Sequence, residues 1–236
     1  MILSRMSLVT ELRSIARRLG LTQPLLKLRD AFRSDGGYEP KVMSFLREVI
    51  HEGDTVWDVG ANVGQFSAAF SGWVGPRGQV VAFEPVPSCF EALSQRTRDC
   101  GNVRALNVGL SDREATLPMY LSDDPVATIG TFLATREDTP NTVELVVHPG
   151  DELLETEDLP IPNVMKIDVE GFEPEVLRGL DGTLRDATCR ALLCEVHFAL
   201  LESRGQKHAP AQIRRYLNDR GFSTKWITSS HLGAHR

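Results

Sequence analysis

The chain has 236 residues, of which 42% are hydrophobic and 25% charged, values that exclude a disordered or collagen-like polypeptide and allow one sizeable core with an extension. A formal net charge of −6 disfavours a polyanionic nucleic-acid partner, because neutralising phosphates needs a concentrated basic face. Cys89, Cys100, Cys189 and Cys194 show no Cys-x-x-Cys spacing, so neither zinc nor a disulfide framework is expected and a reducing cytoplasm fits best.

No stretch approaches the length of a membrane span, and no apolar run of secretory type follows the first basic residues, so neither feature is expected. Residues 1–34 carry seven basic side chains against Glu11 and Asp30, a local charge of +5. Leu8, Leu12, Ile15 and Leu19 recur at spacings of three and four, which predicts an amphipathic helix. It would pack on the core or pair in a homodimer, with a substrate-capping lid or contact with an acidic membrane as alternatives. Asp35-Gly36-Gly37-Tyr38-Glu39-Pro40 reads as a linker, so residues 1–40 form an N-terminal helical cap and 41–236 the main domain.

A second amphipathic stretch at 41–50 leads into short apolar runs that alternate with helical segments, the pattern of a parallel sheet built from crossover units. Strands are predicted at 55–59, 79–84, 103–108, 164–168, 191–196 and, at the sheet edge, 223–228. Helices are predicted at 64–72, 88–100, 174–180 and 209–220. Residues 116–147 read as a turn-rich excursion forming an edge hairpin or a substrate loop. The residues after 228 are too few to place.

The sharpest motif is Val56-Trp57-Asp58-Val59-Gly60-Ala61-Asn62-Val63-Gly64-Gln65-Phe66, a strand that enters a glycine turn and opens a helix. Gly60 suits the tight turn and close ligand approach, and Gly64 suits close helix packing. Val80-Val81-Ala82-Phe83-Glu84-Pro85 ends the next strand with an acid 20 residues beyond Gly64, placed to accept hydrogen bonds from a ribose diol. Asn62 stands where a dinucleotide loop has its middle glycine, which weakens a nicotinamide reading and favours S-adenosylmethionine, a cofactor without pyrophosphate. Two further strands end in acids: Val164-Met165-Lys166-Ile167-Asp168-Val169-Glu170-Gly171-Phe172-Glu173 and Leu192-Leu193-Cys194-Glu195-Val196-His197.

Asp58 to Gly64, Phe83-Glu84-Pro85, Lys166 to Glu173 and Glu195-Val196-His197 together resemble the FkbM family of class I methyltransferases, over about residues 55 to 230. The resemblance implies an α/β, Rossmann-like fold with a mostly parallel seven-stranded sheet and helices on both faces. It implies S-adenosyl-L-methionine as donor and O-methylation of a sugar, polyketide or related metabolite. Asp58, Gly60, Ala61, Asn62, Gly64, Gln65, Glu84, Pro85 and Asp168 would bind the cofactor, with Asn107 and Gly109 bordering the adenine. His148-Pro149-Gly150-Asp151 replaces a Thr-Leu-Asp-Asp segment common in such families.

A sugar-type hydroxyl is a poor nucleophile near neutral pH and needs a base or a metal. His197, Asp168 and Glu195 form the expected catalytic set, with His197 or Asp168 as base. The same three would hold Mg2+ or Mn2+ in a metal-assisted version, an imidazole ligand tilting the choice toward Mn2+. Glu170 and Glu173 read mainly as carboxylates at the positive end of a helix. Residues 198–210, with Arg204, Lys207 and His208, could fold over the acceptor. The alternatives are a methyltransferase acting on nitrogen of nucleic acid or protein, a non-catalytic S-adenosylmethionine-binding protein and a dehydrogenase. Against the nucleic-acid version, Asp168-Val169-Glu170-Gly171 stands where an Asn/Asp-Pro-Pro-aromatic motif is common, and residues 35–236 carry a net −11.

Overall fold

A computed structural model of the chain describes residues 40–121, 130–131 and 142–236. The expected helix at 8–19, the linker before Pro40, and hence the cap, lid and dimer readings, lie outside the described residues. The elements in chain order are α1 (Pro40–Val49), β1 (Thr55–Val59), α2 (Gln65–Val74), β2 (Gln79–Phe83), α3 (Pro87–Thr97), β3 (Val103–Leu106), β4 (Gly109–Ser111), β5 (Ala115–Leu121), β6 (Gly130–Thr131), β7 (Thr142–Pro149), α4 (Gly150–Thr156), β8 (Val164–Ile167), α5 (Glu173–Arg178), β9 (Ala191–Glu195), α6 (Phe198–Ser203), α7 (Ala209–Asn218), β10 (Ser223–Trp226) and β11 (His231–His235). Among them no helix is long and apolar enough to cross a membrane.

Seven strands form one sheet in the order β10-β11-β9-β8-β1-β2-β3. The pairings β1 with β2, β1 with β8, β2 with β3 and β8 with β9 are parallel, and β11 runs antiparallel to both its neighbours. The central strands are apolar nearly throughout because both sheet faces are covered, the condition that turns alternation into continuous runs. Val56, Val80, Val164 and Leu193 face α1 and α2 through Val42, Leu46, Phe66 and Phe70. Their neighbours Trp57, Val81, Met165 and Leu192 face the other way, onto Leu153, Val176, Leu177, Ile213 and Leu217 of α4, α5 and α7. The expected doubly covered α/β sheet is therefore present.

Three expectations change. The run predicted at 103–108 ends as a strand at Leu106, and the chain leaves for a second, four-stranded sheet of order β4-β7-β5-β6. The excursion contributes its hairpin to that sheet, β5 pairing antiparallel with β7, rather than adding an edge to the main one. The last residues, too few to place from sequence, form β11, which inserts between β9 and β10 through His231↔Glu195 and Trp226↔Leu232. Leu232 and Ala234 point into the core while Gly233 faces the other side, where a Cβ would lie 3.0 Å from Phe45.

β11 joins the edge of the sheet to its core, so the fold leans on a strand of five residues. We predict that Leu232→Ala, at a fully buried position, costs about 2–5 kcal/mol in urea unfolding. A loss under about 0.5 kcal/mol, the range of an ordinary surface substitution, would show that β11 is dispensable.

Candidate active site

The site is built at the carboxyl ends of the parallel strands, where an open α/β sheet leaves a crevice. β1 runs into Gly60, at φ 77°, and the N–H groups of Gly60 and Ala61 both donate to Phe83 O at 3.0 Å. A Cβ on Gly60 would sit 1.9 Å from Asp168 O, so the end of β8 presses against this turn and only glycine fits. Asn62 continues in the left-handed region at φ 51°. A Cβ on Gly64 would lie 2.6 Å from Leu93 Cδ1, which gives Gly64 the packing role expected of it.

Glu84 follows β2. Its Oε2 accepts the Asn62 N–H at 2.7 Å and its Oε1 the Val86 N–H at 2.8 Å. Burial pushes its carboxyl up to about 7, against the downward pull of those two backbone bonds. Asn107 is exposed and donates from Nδ2 to Glu84 O at 2.8 Å and Pro85 O at 3.1 Å. It braces the end of β2 instead of entering the crevice.

A cleft opens here, lined by Gly60, Asn62, Glu84, Pro85, Gly109 and Asp168 among the expected residues. Glu170 also lines it, and Val59, Val86, Cys89, Leu110, Met119, Val147, Val169 and Phe172 complete the lining with an apolar wall. Met119 and Val147 belong to the second sheet, whose alternation Val143, Leu145, Val147 was the available signal. Ala61, Gly64, Gln65 and Asn107 do not line the cleft.

Asp58 also stays outside it. It is fully buried, accepts the Ser67 Oγ–H at 2.6 Å on Oδ2, and meets Lys166 Nζ at 3.3 Å from Oδ1. Asp58, expected at the cofactor, is thus engaged beneath the sheet end by Ser67 and Lys166 and does not line the cleft. Lys166 had not been singled out. Its ammonium, 5% exposed, also reaches Gly60 O at 3.1 Å and Asp168 Oδ2 at 3.3 Å.

The second half of the site lies where β8 and β9 end. Glu170 at φ 51° and Gly171 at φ 90° turn the chain back sharply. His197 sits beyond β9 as the residue preceding α6, with φ −88° and ψ 77°. Its Nε2 is 3.6 Å from Asp168 Oδ1 and 3.2 Å from Glu170 Oε2, and its Nδ1 is 2.6 Å from Glu173 Oε1. Burial alone would lower the His197 pKa, but the bond to Glu173 and the charges of Glu170, Glu173 and Asp168 carry it up to about 9. Burial raises Glu170 as well.

Glu195, expected beside His197, instead places Oε2 3.3 Å from His231 Nε2, and the hydrogen bond to His231 lowers its pKa. Of the expected set, Asp168 and His197 come together, with Glu170 as their third neighbour, while Glu195 faces His231. The chain leaves strand geometry after Glu195, so spacing by two no longer puts Glu195 and His197 on one side. Asp168, Glu170 and His197 each offer a ligand atom within 4.8 Å of the others, two carboxylate oxygens and an imidazole nitrogen of the kind that Mg2+ or Mn2+ accepts.

Other expectations resolve structurally. Arg204 stacks over Phe172 at 3.8 Å and bonds Gly171 O and Glu175 Oε1. It clamps the β8–α5 turn. Asp151 accepts the N–H groups of Gly182 and Thr183, and His148 sits on β7 opposite Leu110, so neither lines the cleft.

The methyltransferase FkbM domain family matches residues 58–224. This chain belongs to that family. Hexuronic acid methyltransferase AglP of Haloferax volcanii is 32% identical over 188 residues, covering 79% of this chain and 71% of the relative. Methyltransferase 1 of Beauveria bassiana is 30% identical over 190 residues, covering 70% of this chain and 71% of the relative. A crystal structure from Clostridium thermocellum, assigned as an rRNA methylase, covers 81% of this chain and 89% of its own at TM-score 0.51 and 10% identity, a likeness of fold. The FkbM chain is accordingly a methyltransferase of S-adenosylmethionine-dependent type, and the dehydrogenase reading falls away.

Two predictions follow from the electrostatics. Lys166→Met leaves Asp58 buried without its cation and should cost about 3–5 kcal/mol in urea unfolding; a cost below about 1 kcal/mol would deny the ion pair its role. The raised Glu84 pKa means a stability contribution that is complete below pH 4.5 and lost as pH rises through about 7. Relative to Glu84→Gln, the ligand-free wild type should therefore lose up to about 3 kcal/mol between pH 4.5 and 8. A flat difference across that window would contradict the burial.

Proposed function

We propose that this chain transfers the methyl group of S-adenosylmethionine to a hydroxyl oxygen of a sugar, polyketide or related metabolite. Residues 41–236 act as the methyltransferase domain and 1–40 as an extension. The observation that carries the donor half is Glu84, a buried carboxylate at the end of β2 fixed by two backbone N–H groups on the wall of the cleft. A carboxylate has about four acceptor positions. The backbone bonds use two and leave capacity for the two hydroxyls of a ribose. The apolar wall beside it, from Val86, Leu110, Met119 and Val147, suits the flat face of adenine. The turn at Gly60 and Asn62, with Asp168, remains for the methionine end.

A donor held in this way would present its methyl group toward the ends of β8 and β9, where Asp168, Glu170 and His197 converge. Positioning alone supplies much of the acceleration, because the acceptor oxygen must lie in line behind the sulfonium methyl. The hydroxyl must also lose its proton. With a pKa of about 9, His197 is an imidazolium at neutral pH and donates hydrogen bonds, so the proton acceptor among the expected pair is Asp168, which lines the cleft. A Mg2+ or Mn2+ ion held by Asp168, Glu170 and His197 would supply a lowered hydroxyl pKa at the same place. The relative named for hexuronic acid supports a carbohydrate acceptor.

Calorimetric titration with S-adenosylhomocysteine tests the donor site. We expect micromolar affinity that strengthens as pH rises through about 7, since the ionised carboxylate is the better acceptor for ribose hydroxyls. Glu84→Gln should bind more weakly and show no such pH dependence. No binding by folded wild type would overturn the reading. Transfer of labelled methyl to a panel of hydroxylated sugars and uronic acids then tests the acceptor class, and label on nucleic acid alone would replace it.

A further inference from the structure

The side chains around His197 form two layers. In the outer layer, Asp168 Oδ1 and Glu170 Oε2 stand 3.6 and 3.2 Å from Nε2 of the ring. Two ligands at right angles on an ion with bonds near 2.1 Å are about 3 Å apart, so these separations suit neighbouring positions on one small dication. In the inner layer, Glu173 is fully buried, and its Oε1 lies 2.6 Å from Nδ1 on the opposite edge of the same ring. Its Oε1 also accepts the Gly171 N–H at 3.0 Å, while Oε2 has no hydrogen-bond partner among the described residues.

A carboxylate that accepts the Nδ1–H of a histidine fixes the ring, and a metal ion that displaces the proton from Nε2 then takes that nitrogen as a ligand, the arrangement found behind metal-bound histidines. It also explains the placement of Glu173. A carboxylate removed from water is costly unless positive charge reaches it, and here that charge is delivered through the ring. Glu195 stands outside both layers, held against His231.

We propose that Asp168, Glu170 and His197 bind one divalent cation, Mg2+ or Mn2+, with Glu173 acting from behind as the residue that positions His197, and with no part played by Glu195. The imidazole favours Mn2+ of the two. The cation would sit on the acceptor side of the site, an assignment that rests on the donor occupying the neighbouring cleft, although binding of the ion itself does not.

The test is titration of the full chain with Mn2+, following free Mn2+ by electron paramagnetic resonance, alongside S-adenosylhomocysteine calorimetry in EDTA. One Mn2+ per chain is expected. Glu170→Gln and His197→Ala should abolish uptake, and Glu173→Gln should weaken it about tenfold or more, as loss of an outer carboxylate does. Glu195→Gln should leave Mn2+ affinity unchanged, and thermal melting in EDTA confirms that each variant is folded. Folded wild type that takes up no Mn2+ overturns the proposal, as does equal loss in Glu195→Gln and Glu170→Gln. Unchanged affinity in Glu173→Gln overturns the positioning role. Mn2+ uptake without S-adenosylhomocysteine binding would instead sink the donor reading and leave the cation site standing.

Discussion

A single buried ammonium ties the site to the sheet. Lys166 points from β8 toward β1 and reaches Asp58, Asp168 and the carbonyl of Gly60. Each contact alone would be a poor return for stripping a lysine of water, but three acceptors around one cation offset the desolvation. The consequence is positional. Asp58 is drawn down beneath the glycine turn, the turn is held by its own carbonyl, and Asp168 is held at the boundary between the cleft and the His197 cluster. β8 lies between β1 and β9 in the sheet, so this ion cluster fixes the glycine turn after β1 relative to the end of β8, beside the His197 cluster.

That arrangement explains which parts of the molecule could be read from the sequence. β1, β2, β8 and β9 announced themselves because strands covered on both faces are apolar without interruption. β11 did not, because it contains two histidines and a glycine and contributes only Leu232 and Ala234 to the core. Its stability comes from backbone pairing with β9 and β10, a long-range property that no local pattern encodes. The second sheet was hidden for a related reason. Asn107 bonds the backbone of Glu84 and Pro85 at the point where β3 stops, and a side-chain bond of that kind ends a strand without any change in hydrophobicity.

The same distinction divides the site. The donor half is local: turn, acid and helix start lie within consecutive residues, and their roles follow from the φ values a glycine permits. The acceptor half depends on the left-handed conformation of Glu170 and Gly171 and on the departure of His197 from strand geometry. Alternation along a strand pairs His197 with Glu195, whereas the ring contacts Asp168, Glu170 and Glu173, two of which the helix-dipole argument undervalued. Glu173 does begin α5, where a carboxylate is favourable, yet its complete burial against a histidine shows that the dipole is the smaller part of its environment.

Charge links the two halves. The rim at the ends of β8 and β9 presents Asp168 and Glu170 within a chain whose described part is acidic overall. In the proposed reaction the donor carries a positive sulfonium, and its attraction to this rim is strongest before transfer because the product thioether is neutral. Nearby carboxylates would therefore favour the charged donor over the spent product by Coulomb attraction alone. They would equally hold the hydroxyl acceptor through hydrogen bonds, provided their own excess charge is balanced. His197 performs that balancing when protonated, and a dication would perform it more fully. In the proposed reaction the imidazole thus belongs to the electrostatic frame of the site, and abstraction of the acceptor proton would fall to Asp168, the carboxylate that Lys166 contacts.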